Sequence, residues 1–359
     1  MVTYTCETCD KVFIQKGHYD SHRARKRPCK KDPAIEKRIE QKVQEVLATA
    51  NVIIHPAPEA IPSVKPFLKW VGGKTQIIDE VLSLFPRIIQ NYYEPFLGGG
   101  SVLIALLTEP SITVNGTIHA SDLNSNVIGL YKNIQTNPEE LIKEVKALAT
   151  EYSQAKNTAI NRAPTTLEEA LTSPESYYFW TRAKFNALTK EQRASVQGSA
   201  FLLFLNKTCF RGLYREGPRG FNVPFGNYKN PTILEEENIR ALSTLFQPVV
   251  FTCSSFSDIL PKPTKGDFTY LDPPYAPEQG TSFVSYTADG FDLETHNALF
   301  KATKELKERG VAFLMSNADV PLVREAFPSA VYETKSILCR RAIHSKTPDA
   351  KTREVLIKN

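Results

Sequence analysis

The chain has 359 residues, 42% hydrophobic and 23% charged, which supports a sizeable core and excludes a disordered or collagen-like polymer. The net charge is a modest +5, and the six cysteines are too scattered for a disulfide framework. No apolar run approaches the roughly 18 residues of a membrane-spanning helix. With no basic-then-apolar leader, the expectation is a monomeric intracellular protein, cytoplasmic or nuclear, with no membrane partner.

Charge is unevenly spread. Residues 1–31 carry eight Lys/Arg against three acids, and residues 207–229 carry five against Glu216 alone. Two basic islands on a balanced background suit polyanion binding at chosen places, although basic runs also serve as plain solvated surface. The first island contains Cys6-x2-Cys9-x12-His22, the spacing of a small zinc module, with Phe13 where such a fold places a core aromatic. His18 lies too close to Cys9 to complete the set. Cys29, reached after a turn at Pro28, fits better as the fourth ligand. Thiolates and imidazole in fourfold coordination suit Zn2+, without which so short a module does not fold. Residues 1–32 therefore resemble a C2H2-type ββα zinc finger in Cys-Cys-His-Cys form, like those in large DNA viruses of eukaryotes. Arg23, Arg25, Lys26 and Arg27 suit a phosphate backbone, but single fingers also bind proteins.

Residues 33–63 read as a helix followed by a linker. Ile35, Ile39 and Val43 recur at helical spacing behind Pro33, and Pro56, Pro58, Pro62 and Pro66 then punctuate an extended stretch. In the main domain, 64–359, the strand candidates are 91–94, 117–121, 249–252, 268–271, 312–315 and 355–357. Helix candidates are 76–84, 101–107, 126–135, 138–151 and 293–308. Such alternation predicts an α/β fold, a mostly parallel sheet with helices on both faces. Strand signals vanish over about 150–238, which reads as a helical, basic insertion.

Three elements carry chemistry. Tyr92-Tyr93-Glu94-Pro95-Phe96-Leu97-Gly98-Gly99-Gly100-Ser101 reads as strand, glycine turn and helix, with glycines that let the backbone approach a ligand at the helix start. Asp122 ends the next strand 22 residues after Gly100, where a nucleotide-binding unit puts the acid that holds ribose hydroxyls. Gly73-Lys74-Thr75 is no phosphate loop, because Leu68 stands where that motif needs its first glycine. The third element is Asp272-Pro273-Pro274-Tyr275 at a strand end. The prolines remove two donors and stiffen the turn. Asp272 and the Pro273 carbonyl can each accept one N–H of a flat exocyclic amine while Tyr275 stacks on its ring. Two acceptors localise the nitrogen lone pair and aim it at an electrophile.

Five segments occur in a fixed order: 67–74 (FLKWVGGK), 94–101 (EPFLGGGS), 121–124 (SDLN), 221–226 (FNVPFG) and 272–277 (DPPYAP). Together they resemble the Dam-type (D12 class) S-adenosylmethionine-dependent DNA adenine-N6 methyltransferases over about 64–359. The resemblance implies a class I, Rossmann-like methyltransferase sheet carrying a helical DNA-recognition insertion. It implies cofactor contacts from Trp70, Lys74, Glu94, Phe96, Gly98, Asp122, Ser255, Phe256 and Asp272, with Asp272, Pro273, Pro274 and Tyr275 at the reacting amine. Double-stranded DNA would be read by Lys69, Arg211, Tyr214, Arg215, Arg219 and Tyr228, an arginine pairing with guanine while the adenine is flipped out. Arg211 stands where such members often have asparagine, so the implied target is GATC or a related short site. Cytosine-N4 methylation, an inert methyltransferase domain on a DNA-binding protein, and an RNA substrate are the alternatives. A cognate restriction endonuclease is a further candidate partner.

Overall fold

A computed structural model describes residues 3–6, 9, 11–25, 64–277, 291–340 and 351–359, in two units, Met1–Ala60 and Ile61–Asn359. In the first unit, Tyr4–Thr5 pairs antiparallel with Val12–Phe13, and the helix Lys16–Arg23 follows. Phe13 packs against His22, ring centroids 4.9 Å apart, and against Tyr19 at 6.1 Å. Cys29, the expected helix at 33–47 and the proline-rich stretch up to residue 63 lie outside the described residues.

The second unit is built on seven strands: β1 (Tyr92–Glu94), β2 (Ile118–Asp122), β3 (Val249–Cys253), β4 (Phe268–Leu271), β5 (Ala312–Ala318), β6 (Glu333–Arg340) and β7 (Lys351–Lys358). Their spatial order is β6-β7-β5-β4-β1-β2-β3. The strands from β3 through β5 are parallel, and β7 runs antiparallel between β5 and β6. Every residue of β4 and β1 is buried, as expected of central parallel strands covered on both faces. From β1 the chain builds outward through β2 and β3, then crosses back to lay β4 on the other side of β1. Such a reversal opens a crevice at the carboxyl ends of the two strands. The turn after β1 and the corner after β4 are therefore neighbours.

Between β2 and β3 the chain is mainly helical. Val196–Thr208 is buried nearly all round because it packs against Ser125–Thr136, Pro138–Ser153 and Pro174–Ala187. The expected strands and helices are present, most with ends shifted by a residue or two. The departures have local causes. Residues 76–84 divide into a 3-10 turn, Lys74–Ile77, and a short helix, Ile78–Ser83. A two-residue hairpin, Glu216–Gly217 with Gly220–Phe221, interrupts the insertion and is too short to show a strand period. β6 escaped sequence reading because an edge strand with exposed Glu333, Lys335 and Ser336 has no apolar run. Among the described residues no helix is long and apolar enough to cross a membrane.

At the opposite edge from the crevice, Asp267, only 3% exposed, ties the strand starts together. Its Oδ1 accepts from the Asn91 backbone N (3.0 Å) and Nδ2 (2.8 Å), and its Oδ2 from the Thr264 N (2.8 Å). Asn91 Oδ1 in turn accepts from Thr117 N at 2.9 Å. Removing the carboxylate leaves donors of half-buried Asn91 and of Thr264 without their acceptor. Asp267→Ala should cost about 2–4 kcal/mol in urea unfolding; a loss within error would show that the bracket is dispensable.

Candidate active site

The turn after β1 is held from the protein side. Gly98 and Gly100 have φ of +50° and +66°. A Cβ on Gly99 would lie 2.6 Å from the Trp70 Cβ, and one on Gly100 would lie 2.3 Å from the Tyr131 hydroxyl. That hydroxyl donates to the Gly98 carbonyl at 3.2 Å. The glycines thus admit Trp70 and Tyr131, a requirement that the ligand-approach reading of the sequence did not contain. Asp122, at the end of β2, braces the same turn. Its Oδ2 accepts from Gly98 N and its Oδ1 from Asn124 N, both at 2.9 Å. Burial pushes the Asp122 carboxyl up, and the backbone donors of Asn124, Gly98 and Leu123 oppose that shift.

Across the crevice stands the corner after β4. Lys74, 3% exposed, sits at the start of the 3-10 turn, where its backbone N donates to Ser101 Oγ at 3.0 Å. Its ammonium lies 2.7 Å from Asp272 Oδ2 and donates to Gly72 O at 2.5 Å. The same ammonium is 5.1 Å from the Tyr275 ring centroid. Burial pushes the Asp272 carboxyl up, Lys74 pulls it down, and the nearby Glu354 carboxylate adds to the rise. Pro273 is buried and Pro274 half-buried. Beneath the corner, Glu94 is 2% exposed and accepts from the Tyr92 hydroxyl at 2.7 Å. Burial lifts its pKa from the usual 4.5 to about 8, against the Tyr92 hydrogen bond and with help from Asp272.

Phe96 and Phe256, far apart in sequence, stack with centroids 5.7 Å apart, and Phe291 packs edge-on to Phe96 at 6.2 Å. Ser255 caps the short helix Phe256–Ile259 by accepting from Asp258 N.

The basic insertion meets the N-terminal segment through Asn206, a residue that sequence reasoning did not single out. Its side chain accepts from Lys69 N and donates to Lys69 O, both at 2.8 Å. Lys69 is poised 3.9 Å from the Tyr228 ring centroid, and burial lowers its pKa. Arg211 takes the left-handed conformation, φ +56°, with its guanidinium 5.3 Å from the Phe210 ring. Arg215 is exposed, with Nε donating to Asn222 Oδ1 at 2.6 Å, and Arg219 is exposed between Gly217 and Gly220. Tyr214 turns inward. Its ring lies 6.0 Å from Trp70, and its hydroxyl donates to Glu216 Oε1 at 2.5 Å and accepts from Asn126 Nδ2 at 2.8 Å. Lys65, Lys69, Lys207, Lys229 and Tyr228 line an open cavity of about 480 Å³.

In the first unit, one ligand atom each from Cys6, Cys9 and His22 converge within 4.8 Å, with Cys9 Sγ 3.3 Å from His22 Nε2. Asn206, Asn126, Asn317 and Glu354 have no local signal, because each acts through a partner remote in sequence.

A braced glycine turn facing a rigid carboxylate corner across the switch point of a mostly parallel sheet is the layout of a methyltransferase. Residues 70–343 match the D12 class N6 adenine-specific DNA methyltransferases, and the chain belongs to that family. It is 34% identical to the type II methyltransferase M.MjaIII of Methanocaldococcus jannaschii, over 79% of this chain and 94% of that protein. The DNA adenine methylase of Haemophilus influenzae is 31% identical, over 80% of this chain and 91% of its own length. That of Escherichia coli K12 is 31% identical, over 78% and 89%.

Glu94 makes stability depend on pH. The folded carboxyl titrates near 8 and the unfolded one near 4.5. Its contribution is therefore full below the lower value and lost as pH rises through the higher one. Glu94→Gln should flatten the decline in unfolding free energy between pH 5 and 8.5, measured by urea denaturation without ligands. Parallel curves for the two proteins would rule out the elevated titration.

Proposed function

We propose that this adenine-specific methyltransferase acts on double-stranded DNA at a short site, GATC or a related sequence, on an adenine rotated out of the helix. The observation that carries this reading is the Lys74–Asp272 pair, 2.7 Å apart, at the crevice beside the glycine turn. S-adenosylmethionine, when bound, supplies an electrophilic methyl group. The residues present fit it. Asp122 keeps lone-pair capacity beyond its backbone donors and can accept ribose hydroxyls. Trp70 and the Phe96–Phe256 pair offer aromatic faces, with Ser255 beside them, and the Glu94–Gly98 segment supplies backbone at the turn.

Burial raises the Asp272 pKa and the Lys74 ammonium opposes that rise. Asp272 and the Pro273 carbonyl then accept the two N–H bonds of the target amine while Tyr275 covers the base. The adenine amine is a poor nucleophile because its lone pair spreads into the ring, and two acceptors on its hydrogens counter that delocalisation. After transfer the cationic nitrogen loses its proton to Asp272 or to water. Lys69, Arg211, Arg215, Arg219 and Tyr228 form the basic and aromatic DNA side, with Arg215 as guanine reader. Tyr214 supports them from within, through Trp70 and Glu216.

Asp272→Ala should abolish methyl transfer while leaving DNA affinity nearly intact. Wild-type turnover in that variant would sink the assignment. Methylation-aware sequencing of treated DNA should find N6-methyladenine within one short motif, and N4-methylcytosine or an unmodified duplex would overturn the reading.

The finger completes the proposal. Cys6, Cys9 and His22 are soft and borderline donors converging on one point, which suits zinc, with Cys29 as the fourth ligand. Metal analysis should return one Zn2+ per chain, released on thiol modification, and Cys9→Ser should purify without it. Full zinc content in that variant would exclude the site.

A further inference from the structure

The reacting corner is fixed piece by piece, and its last freedom is the Tyr275 ring. Pro273 and Pro274 lock their own backbone torsions. Just beyond, the Ala276 N donates to Asn317 Oδ1 at 3.0 Å, and Asn317 is wholly buried in β5. The backbone on both sides of Tyr275 is thereby held, but the ring can still turn about two side-chain bonds. Its hydroxyl donates to Glu354 Oε2 at 2.8 Å, across 79 residues of sequence.

The direction of β7 makes this contact possible. Glu354 pairs with Ala318, the last residue of β5, whereas Leu271 of β4 is level with Met315. Because β7 runs antiparallel, its early residues reach the carboxyl edge where the corner lies. Asp272 is faced by Lys74 from the N-terminal segment, Glu94 from β1, Tyr270 from its own strand, Tyr275 from the corner and Glu354 from β7. Lys74 is the one cation in that set.

We infer that Glu354 is a positioning residue for methyl transfer: it fixes the plane of the Tyr275 ring against the target base through the ring's hydroxyl. This rests on the reading of 272–275 as the amine-binding corner. Losing a hydrogen bond to a charged acceptor is worth about a tenfold change in rate when it acts at the transition state.

The test uses the full chain with S-adenosylmethionine and a methylatable duplex. Glu354→Ala should lower kcat about tenfold with little change in KM for either substrate. Tyr275→Phe, which removes the same hydrogen bond from its other end together with the hydroxyl's contact to Asp272, should lower kcat at least as much, and the double variant should lose no more than Tyr275→Phe alone. Glu354→Gln keeps an acceptor and should recover most of the loss. With the negative charge gone, it should also move the acid limb of the pH–rate profile to lower pH, since a like charge beside Asp272 has been removed.

Wild-type kcat in Glu354→Ala, multiplying losses in the double variant, no recovery in Glu354→Gln, or an unmoved acid limb would each overturn the inference. Should Glu354→Ala fail to fold, a wild-type kcat in Tyr275→Phe does the same. Asp272→Ala is run beside them. An active Asp272→Ala removes the amine-binding reading itself, whereas an inactive one with normal Glu354 variants removes only the role of Glu354.

Discussion

A buried lysine holding a half-buried aspartate is the constraint around which the second unit is arranged. Lys74 and Asp272 come from segments 198 residues apart and meet where the strand order reverses between β1 and β4. Burial raises the Asp272 pKa, and the ammonium 2.7 Å away opposes that rise. The pair ties the N-terminal segment to the corner after β4.

Around this pair, the crevice is assembled from short polar tethers between elements that the chain visits at different times. Asp122 reaches from β2 to the turn after β1, Asn206 clasps Lys69 from the insertion, and Tyr214 bridges Trp70 to Asn126 and Glu216. Tyr214, expected from its place in the basic tract to contact DNA, has its hydroxyl tied to buried Asn126 and to Glu216 of the hairpin.

Much of the architecture was legible because its periodicities are strong. β4 is a run of four buried residues ending at two prolines, and the helices 293–308 and 138–153 carry clean 3.6-residue patterns. The two adjoining strands at the far edge were read poorly, β6 not at all and β7 only over its apolar 355–357 portion. Edge and near-edge strands alternate with charged residues, and their pairing is set by partners rather than by composition. Glu354 lies in the part of β7 that the pattern missed, so its contact with Tyr275 had no sequence signal.

By itself the sequence determined which groups are on hand: the carboxylates, the rigid proline corner, the glycine turn and the thiol-imidazole spacing are properties of residue type and of short spacing, which local rules govern. Only the tertiary structure decided which groups face one another. The inward turn of Tyr214, the demand of Trp70 and Tyr131 for the glycines, and the reach of Glu354 to the reacting corner all arise from strand order and direction. Those are set by burial and hydrogen bonding across the whole sheet, over distances along the chain that no short motif encodes.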